Sequence, residues 1–553
     1  MSAPTRFSPA ALGALLGLLA LLYSGIFAHR DMLGVDIMEA RNLITAREMI
    51  DTGHWFLPTM FGEPRLAKPP LPTWLTAGAM LLGNAGADTD LAVNRVPSAL
   101  AGLLLAASLF GLTRFWTRST AAAAWSTAFL ATSYMFVLMT RRNSWDIYCH
   151  AFMLAAIWGL AVILESPAPR RRLAVGTGLL LGLSGLSKGP VSYYALLLPF
   201  VAAVLGTGGW AGFRARFRDL GLALAIGVVL SSAWSAAAWL SVPHDFADML
   251  VTEQGAWFTR HTKPFWFYLQ FPLMTGVWSL VACAALWPGH ARKRVEPLLP
   301  YWRPALWALC GVALLMLVPE KKDRYLLPVL IPLCQLMGTY LTGLLRDPEK
   351  GGRTGRVLVT ADTAVFGLVC LGLPLALWWV RTRLPDLDNP ELAGIAAASA
   401  LAASLLYLLW RRQDLQGLFI VKFAILGLLS LGLPFLSRPP AGDMSVPLTQ
   451  IRMFTHGGTV LRDTSLKLQD SWLIGSNPLG PGEYGRLDSN RAAFFATRKE
   501  GHTLPEALGG YAAAEELEIT AFDGQTLHLF ALRRAPGELP PAASGKPEPR
   551  EAS

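Results

Sequence analysis

Apolar residues in this chain gather in runs of about 20, the length a helix needs to cross a ~30 Å hydrocarbon core. The runs recur from residue 9 to residue 436 and then stop. The first, PAALGALLGLLALLYSGIFA, is long for the apolar part of a signal peptide and lacks an A-x-A cleavage site, so it is read as an uncleaved first membrane helix. Further spans are predicted near residues 92 to 113, 120 to 139, 147 to 165, 173 to 187, 190 to 207, 219 to 241, 273 to 288, 304 to 319, 325 to 345, 358 to 380, 392 to 410 and 416 to 436. The pattern predicts an α-helical polytopic membrane protein of about 13 transmembrane helices.

The polar stretches between the runs alternate in character. TRFWTRS, PAPRRR, RARFRD, HARKR, RDPEKGGRTGR and RRQD carry the basic residues that short cytoplasmic loops retain. The opposite loops then lie outside: residues 30 to about 90, 140 to 146, 242 to 272, 320 to 324, 381 to 391 and everything beyond 437. This is expected to place the N-terminus in the cytoplasm and the C-terminal segment in the periplasm or its equivalent. Domains are expected at 1–436 (transmembrane, with the first outside loop at 30–90), at 437–535 (a small soluble α/β domain) and at 536–553 (a Pro- and charge-rich tail, expected to be disordered). Within the soluble segment TVLRD, SWLIGS, RAAFFAT and QTLHLFALRR read as strands, and LPEALGGY and AAAEELEI as helical or turn pieces.

Composition agrees: 53% of residues are hydrophobic, 16% are charged and mean hydropathy is +0.39, too little polar surface for a soluble chain of 553 residues. The five cysteines are scattered singly, with no metal spacing and no disulfide framework. The net charge of +10 is spread between apolar runs, which argues against a nucleic-acid partner.

Candidate chemistry concentrates in the outside loops. The first holds Asp31, Asp36, Glu39, Arg41 and Lys68; RRNSWDIYCH puts Asp146 at the mouth of a span, and GLSGLSKGPVSYY puts Lys188 at a Gly-Pro break. WFTRHTKPFWFYL interleaves Arg260, His261 and Lys263 with aromatics, and PEKKDRYLLP packs Lys321, Lys322 and Arg324 into a short outside loop against the positive-inside rule. Singly, each has a bland account as a snorkelling lysine, an interfacial aromatic belt or a lipid headgroup contact. Four such clusters on one side point instead to a shared site for an anionic ligand with an apolar tail. Lys and Arg suit its phosphate, and Asp36, Glu39 and Asp146 remain for proton chemistry. The inferred reaction is glycosyl transfer from a polyprenyl-phosphate sugar; the alternative is a lipid-linked sugar transporter or flippase.

Taken in order, EARNLITAREMIDTGHWFLPTMFGEPRLAKPPLPTWL, NRVPSALAGLLL, SWDIYCH, GLSGLSKGPV, RHTKPFWFYL and KKDRYLLPVLIP resemble the lipid-A aminoarabinose transferase (ArnT-like) and protein O-mannosyltransferase (PMT) branch of the GT-C glycosyltransferases. The resemblance covers roughly residues 10 to 345. It implies an undecaprenyl-phosphate-linked donor, an inverting displacement and a lipid or protein/glycan acceptor at the periplasmic face, among membrane lipids. By the same resemblance Glu39 and Arg41 fall on the first-loop acidic motif, Lys68 on a Lys-Pro-Pro motif, Asp146 on the second-loop acid and Lys188 on a Lys-Gly turn. Lys263, Arg324 and Tyr325 fall on donor-phosphate contacts; Arg260, Lys321 and Lys322 are grouped with them, and His261 is assigned to the acceptor or to orientation. Two departures stand out. Met38-Glu39 replaces the relatives' Asp-Glu, leaving Asp36 or Glu39 as base, and Leu66-Ala67-Lys68-Pro69 lacks the glutamate of Phe-Glu-Lys-Pro. No cofactor is required on this reading, and no divalent metal is predicted.

Overall fold

The computed structural model describes residues 17–24, 34–83, 91–347, 352–380, 389–436 and most of 445–534. Most of the first apolar run, Asp31 and the tail at 536–553 lie outside the described residues. Contacts divide the chain into two compact units: Met1–Leu33, Arg65–Ala79 and Leu91–Ser437 form one, and Gly34–Pro64, Met80–Asp90 and Arg438–Ser553 the other.

The first unit is helical. Among the described residues seven helices are long and apolar enough to cross a membrane, or eight if the bent pair Thr120–Thr132 and Tyr134–Thr140 is one span. Leu71–Leu82, Tyr193–Gly206, Trp302–Leu317 and Leu415–Leu431 are shorter apolar helices. The chain is a multi-pass membrane protein. The bent pair turns by 70° at Ser133, whose backbone is extended and whose hydroxyl donates back to the Phe129 carbonyl at 2.7 Å. Asp323–Arg346 is the central element: 94% of its apolar window is covered by protein, against 11% for Leu392–Arg411. Close approach at the centre depends on Gly338, where a Cβ would fall 2.2 Å from the Ser126 backbone nitrogen.

Trp278 is a packing hub, fully buried and in ring contact with Phe129, Phe366, Phe419 and Phe423, while its indole N–H donates to Thr132 Oγ1 at 2.8 Å. Beside it, helices Gly352–Val380 and Leu415–Leu436 share a buried ion pair. Lys422 Nζ donates to Asp362 Oδ2 at 2.6 Å and to Thr363 Oγ1 at 3.0 Å, and lies over the rings of Phe366 and Phe419. Neither charged group reaches water, so their mutual attraction offsets the large cost of desolvating each one.

The stretch 242 to 272, expected as a loop, contains the helix Pro243–Thr259 followed by 3-10 turns over Phe265–Trp278. Pro243 sits at the helix start, where its missing N–H costs nothing, and Asp245 in the first turn suits the helix dipole. Phe246, Met249 and Glu253 form its more buried stripe, with Phe246 against Trp239 at 5.8 Å.

In the second unit, helix Ile37–Thr52 begins at Asp36, whose Oδ1 accepts from the amides of Met38 (2.8 Å) and Glu39 (2.9 Å), and ends at Gly53 with φ 76°. Strands β1 (Thr59–Met60) and β2 (Glu63–Pro64) form a hairpin around Phe61 and Gly62, both at positive φ. Glu48 ties it to the helix by accepting from Thr59 Oγ1 and from the amides of Phe61 and Gly62 at 2.6–2.7 Å. Arg47 donates to the carbonyls of Ser471 and Trp472. The C-terminal sheet holds β3 (Thr459–Arg462), β4 (Ala493–Thr497), β5 (Tyr511–Thr520) and β6 (Thr526–Arg534) in the order β3-β4-β6-β5, with only β3 and β4 parallel.

Two local readings change. SWLIGS contributes to helix Leu468–Leu473, whose start is fixed by Asp470 accepting from the Lys467 amide. AAAEELEI lies in strand β5: its Ala and Glu favour helix, but pairing along β6 with Tyr511, Leu517 and Ile519 turned inward overrides propensity.

Candidate active site

Lys188 ends helix Arg171–Lys188, where the carbonyl pole favours a cation. The chain turns away through Gly189 at φ 68° and ψ −145°, a conformation essentially limited to glycine. Lys188 is 6% exposed and donates to Asp146 Oδ1 in the first turn of helix Trp145–Glu165. The other oxygen of Asp146 faces Arg324 Nε at 3.7 Å. Tyr325 presents its ring to Lys188 at 5.1 Å, to Arg324 at 5.7 Å and to Lys322 at 6.0 Å, so three cations gather around one aromatic ring.

The loop cations are joined by backbone as well as by charge. Thr262 bridges Glu320, and the Lys321 amide donates to the His261 carbonyl at 3.1 Å. His261 turns the chain at φ 52°, a left-handed conformation held by those bonds. Glu320 accepts from Lys322 at 2.6 Å and from Arg260 at 3.2 Å. Burial would raise the Glu320 carboxyl, but the Lys322 hydrogen bond and the charge of Arg260 leave it below its ordinary value. Tyr268, fully buried, accepts from the Lys322 amide at 3.0 Å.

Lys68 stands just before Pro69, Pro70 and Pro72, which carry the chain into helix Leu71–Leu82. Proline at 72 is tolerated because the first helical turn has no amide partners to lose. Lys68 Nζ lies 3.9 Å from Glu253 Oε2, and Arg65 lies over the ring of Trp145, next to Asp146. Burial brings the Lys68 ammonium from 10.5 down to about 8; Glu253 opposes that shift, and Lys188 and Arg65 add to it.

A buried network holds these parts in register. Asn143 Nδ2 donates to Thr76 Oγ1 (2.8 Å) and to the Asn94 carbonyl (2.6 Å), and its Oδ1 accepts from Tyr148 at 2.7 Å. The helix after Lys68 is thereby fastened to the helix that carries Asp146.

Lys68, Asp146, Lys188, Arg260, Lys322, Arg324 and Tyr325 are thus brought together within the first unit, with the His261 backbone as a strut and Lys263 exposed beside it. Lys321, expected as a phosphate contact, is 4% exposed and spends its ammonium on the carbonyls of Val318 (2.7 Å) and Pro319 at the end of helix Trp302–Leu317. Asp36, Glu39 and Arg41 belong to the second unit. Asp36 serves there as helix cap and Glu39 is fully buried. The cap was visible in Asp36-x-x-Glu39, the spacing of a helix start. Glu253 and Glu320 were missed because carboxylates in a presumed loop carry no pattern of their own. Among the described residues, metal-type ligand atoms cluster at Glu516, Glu518 and His528 on the C-terminal sheet, away from any residue of this constellation in sequence.

Residues 67–235 match the family described as dolichyl-phosphate-mannose-protein mannosyltransferase. The undecaprenyl phosphate-α-4-amino-4-deoxy-L-arabinose arabinosyl transferase of Shewanella sediminis is 27% identical over 418 residues, 72% of this chain and 71% of that protein. Its counterpart in Aeromonas salmonicida is 24% identical over 526 residues, 91% of each. Among solved structures, ArnT from Cupriavidus metallidurans bound to undecaprenyl phosphate superposes with a TM-score of 0.72 at 18% identity, covering 94% of this chain and 98% of that one.

Proposed function

Since the chain belongs to the aminoarabinose transferase and protein O-mannosyltransferase branch of the GT-C glycosyltransferases, we propose that it moves a sugar from undecaprenyl phosphate to a lipid, protein or glycan acceptor. The reaction is assigned to the periplasmic face of a bacterial inner membrane, with the N-terminus cytoplasmic and the C-terminal domain periplasmic. The relatives' 4-amino-4-deoxy-L-arabinose is the first donor sugar to try and a hexose the second. The observation that carries the reading is the gathering of Lys68, Lys188, Arg260, Lys322 and Arg324 around Asp146 and Tyr325 at the ends of apolar helices.

The chemistry follows from charge. In the donor, the anomeric carbon is held by a phosphodiester bearing one negative charge. When an acceptor oxygen attacks from the opposite side, the breaking C–O bond delivers its electron pair to the phosphate, whose second charge develops there. Fixed cations hold that growing charge more strongly than the ground state and so lower the barrier. Asp146 keeps Lys188 and Arg324 aimed at one point, which Asn would do less well; Tyr325 gives the cations a ring to rest on and the polyprenyl phosphate a rim. The aromatic residues and apolar helices accommodate the prenyl tail.

The test is transfer of label from undecaprenyl-phosphate aminoarabinose into bacterial envelope lipids by the full-length protein in nanodiscs. Lys188→Ala and Arg324→Ala should each lower turnover by about 10²-fold or more. In sealed proteoliposomes of the same protein, label that crosses the bilayer without forming a new glycosidic bond would establish the flippase alternative and end this reading. Mass spectrometry of lipids and glycoproteins from a deletion strain and its parent identifies the acceptor.

A further inference from the structure

The carboxylates that the sequence offered for proton removal, Asp36, Glu39 and Asp146, and the nearby Glu320 and Asp323 are each engaged or buried in this structure. Asp36 caps a helix, and Glu39 is fully buried in that helix's first turn. Asp146 has a cation on each oxygen and a side chain 3% exposed. Glu320 is held by Lys322 and Arg260, with its side chain 6% exposed. Asp323 accepts from Gln270.

Glu253 differs from all of these. It occupies the more buried stripe of helix Pro243–Thr259, about two turns on from Phe246 and one from Met249, at a position where an apolar residue would continue the packing. Its side chain is 27% exposed, and its ion partner, Lys68, is 3.9 Å away, beyond hydrogen-bond distance. The charges that bear on Lys68 after Glu253 are Lys188, Arg65 and Asp146, so Lys68 links this carboxylate to the Asp146–Lys188 pair. A loosely held, water-accessible carboxylate next to a phosphate-binding lysine has the properties a proton acceptor needs, whereas a carboxylate clamped by two cations is a weak base.

We propose that Glu253 is the general base of the transfer, an assignment that rests on the transferase reading above. The empty enzyme keeps Lys68 balanced by Glu253; the donor phosphate takes over Lys68 and leaves the carboxylate to the acceptor. As the acceptor hydroxyl attacks the anomeric carbon, its O–H bond breaks towards Glu253 and the new C–O bond forms. The old C–O bond gives its electron pair to undecaprenyl phosphate, and Glu253 later returns the proton to water. Atoms and charge balance without any further reactant.

The experiment compares wild type, Glu253→Gln and Glu253→Asp, full length in nanodiscs, with undecaprenyl-phosphate aminoarabinose and envelope lipids. Undecaprenyl phosphate binding is measured alongside as the check on folding. Glu253→Gln should lower kcat by about 10²-fold or more while KM for the donor stays within about threefold, and should remove the acid limb of the kcat/KM pH profile. Glu253→Asp should restore part of kcat and the acid limb. Unchanged kcat in Glu253→Gln, or a change confined to KM, overturns the assignment while the transferase reading stands. Absence of any transfer by wild type overturns both.

Discussion

Raising the pH from 7 to 9 tests Lys68 directly. With its ammonium at about 8, set by burial first, against the opposing charge of Glu253 and with smaller help from Lys188 and Arg65, Lys68 is roughly nine-tenths charged at pH 7 and roughly one-tenth charged at pH 9. The donor is a phosphodiester with no proton to lose in that interval, so a change in binding reports on the protein. If the phosphate requires the ammonium, apparent donor affinity falls about tenfold, or ~1.4 kcal/mol, over those two units. A bound phosphate pulls the Lys68 proton back, so the complex should titrate at a higher pH than the empty enzyme. Lys68→Arg carries a charge throughout and should flatten the profile. Donor titrations in nanodiscs from pH 6.5 to 9.5 provide the measurement. A flat wild-type profile, or a Lys68→Arg profile equally steep, refutes the reasoning. For stability the sign is that of a lysine whose folded value lies below its unfolded one. The cost of burying its charge is fully present below about 8 and is relieved as the pH climbs towards 10.5.

Three further outcomes are expected. Asp146→Asn leaves Lys188 and Arg324 without their shared counter-charge and should destabilise by about 3–5 kcal/mol; Asp146→Asn with Lys188→Met should cost less than Asp146→Asn alone, and a thermal-melt double-mutant cycle that proves additive would contradict the pairing. Glu48→Ala removes the acceptor of three hydrogen bonds at 2.6–2.7 Å and should cost about 2–4 kcal/mol, read as faster hydrogen exchange at the Phe61 and Gly62 amides; unchanged protection there would show that the hairpin holds itself. Asp362→Asn, which strands a buried ammonium, should lower the melting temperature more than Asp362→Asn combined with Lys422→Met, and the reverse order would refute the pairing.

The membrane class was legible because apolar length is a direct physical requirement of the bilayer, and twelve of the predicted runs have helices at or near their positions. The clustering of cations was legible for a related reason: Lys322 and Arg324 in a short loop between apolar runs call for counter-charges, which Glu320 and Asp146 supply. What the chain does not advertise is which loops meet. The bridge between Thr262 and Glu320 joins segments 58 residues apart, and nothing in either segment names the other. Helix Pro243–Thr259 was hidden because Glu253 interrupts its apolar stripe. Asp36 was read for its chemistry alone, although its three-residue spacing to Glu39 also signals the helix start that the structure shows. Lys321 shows the limit of reading charge alone: beside Lys322 and Arg324 it looks equivalent, yet its ammonium closes a helix end.

The buried pair of Asp362 and Lys422 has a consequence for how this protein is made. The two residues are separated by 60 positions, so the carboxylate leaves the ribosome well before its ammonium does. A lone charge is poorly tolerated in hydrocarbon, and the earlier helix therefore has reason to wait beside the insertion machinery until the later one arrives. The expected consequence is that the stretch from helix Gly352–Val380 through helix Leu415–Leu436 enters the bilayer together, with electrostatics serving as the timer.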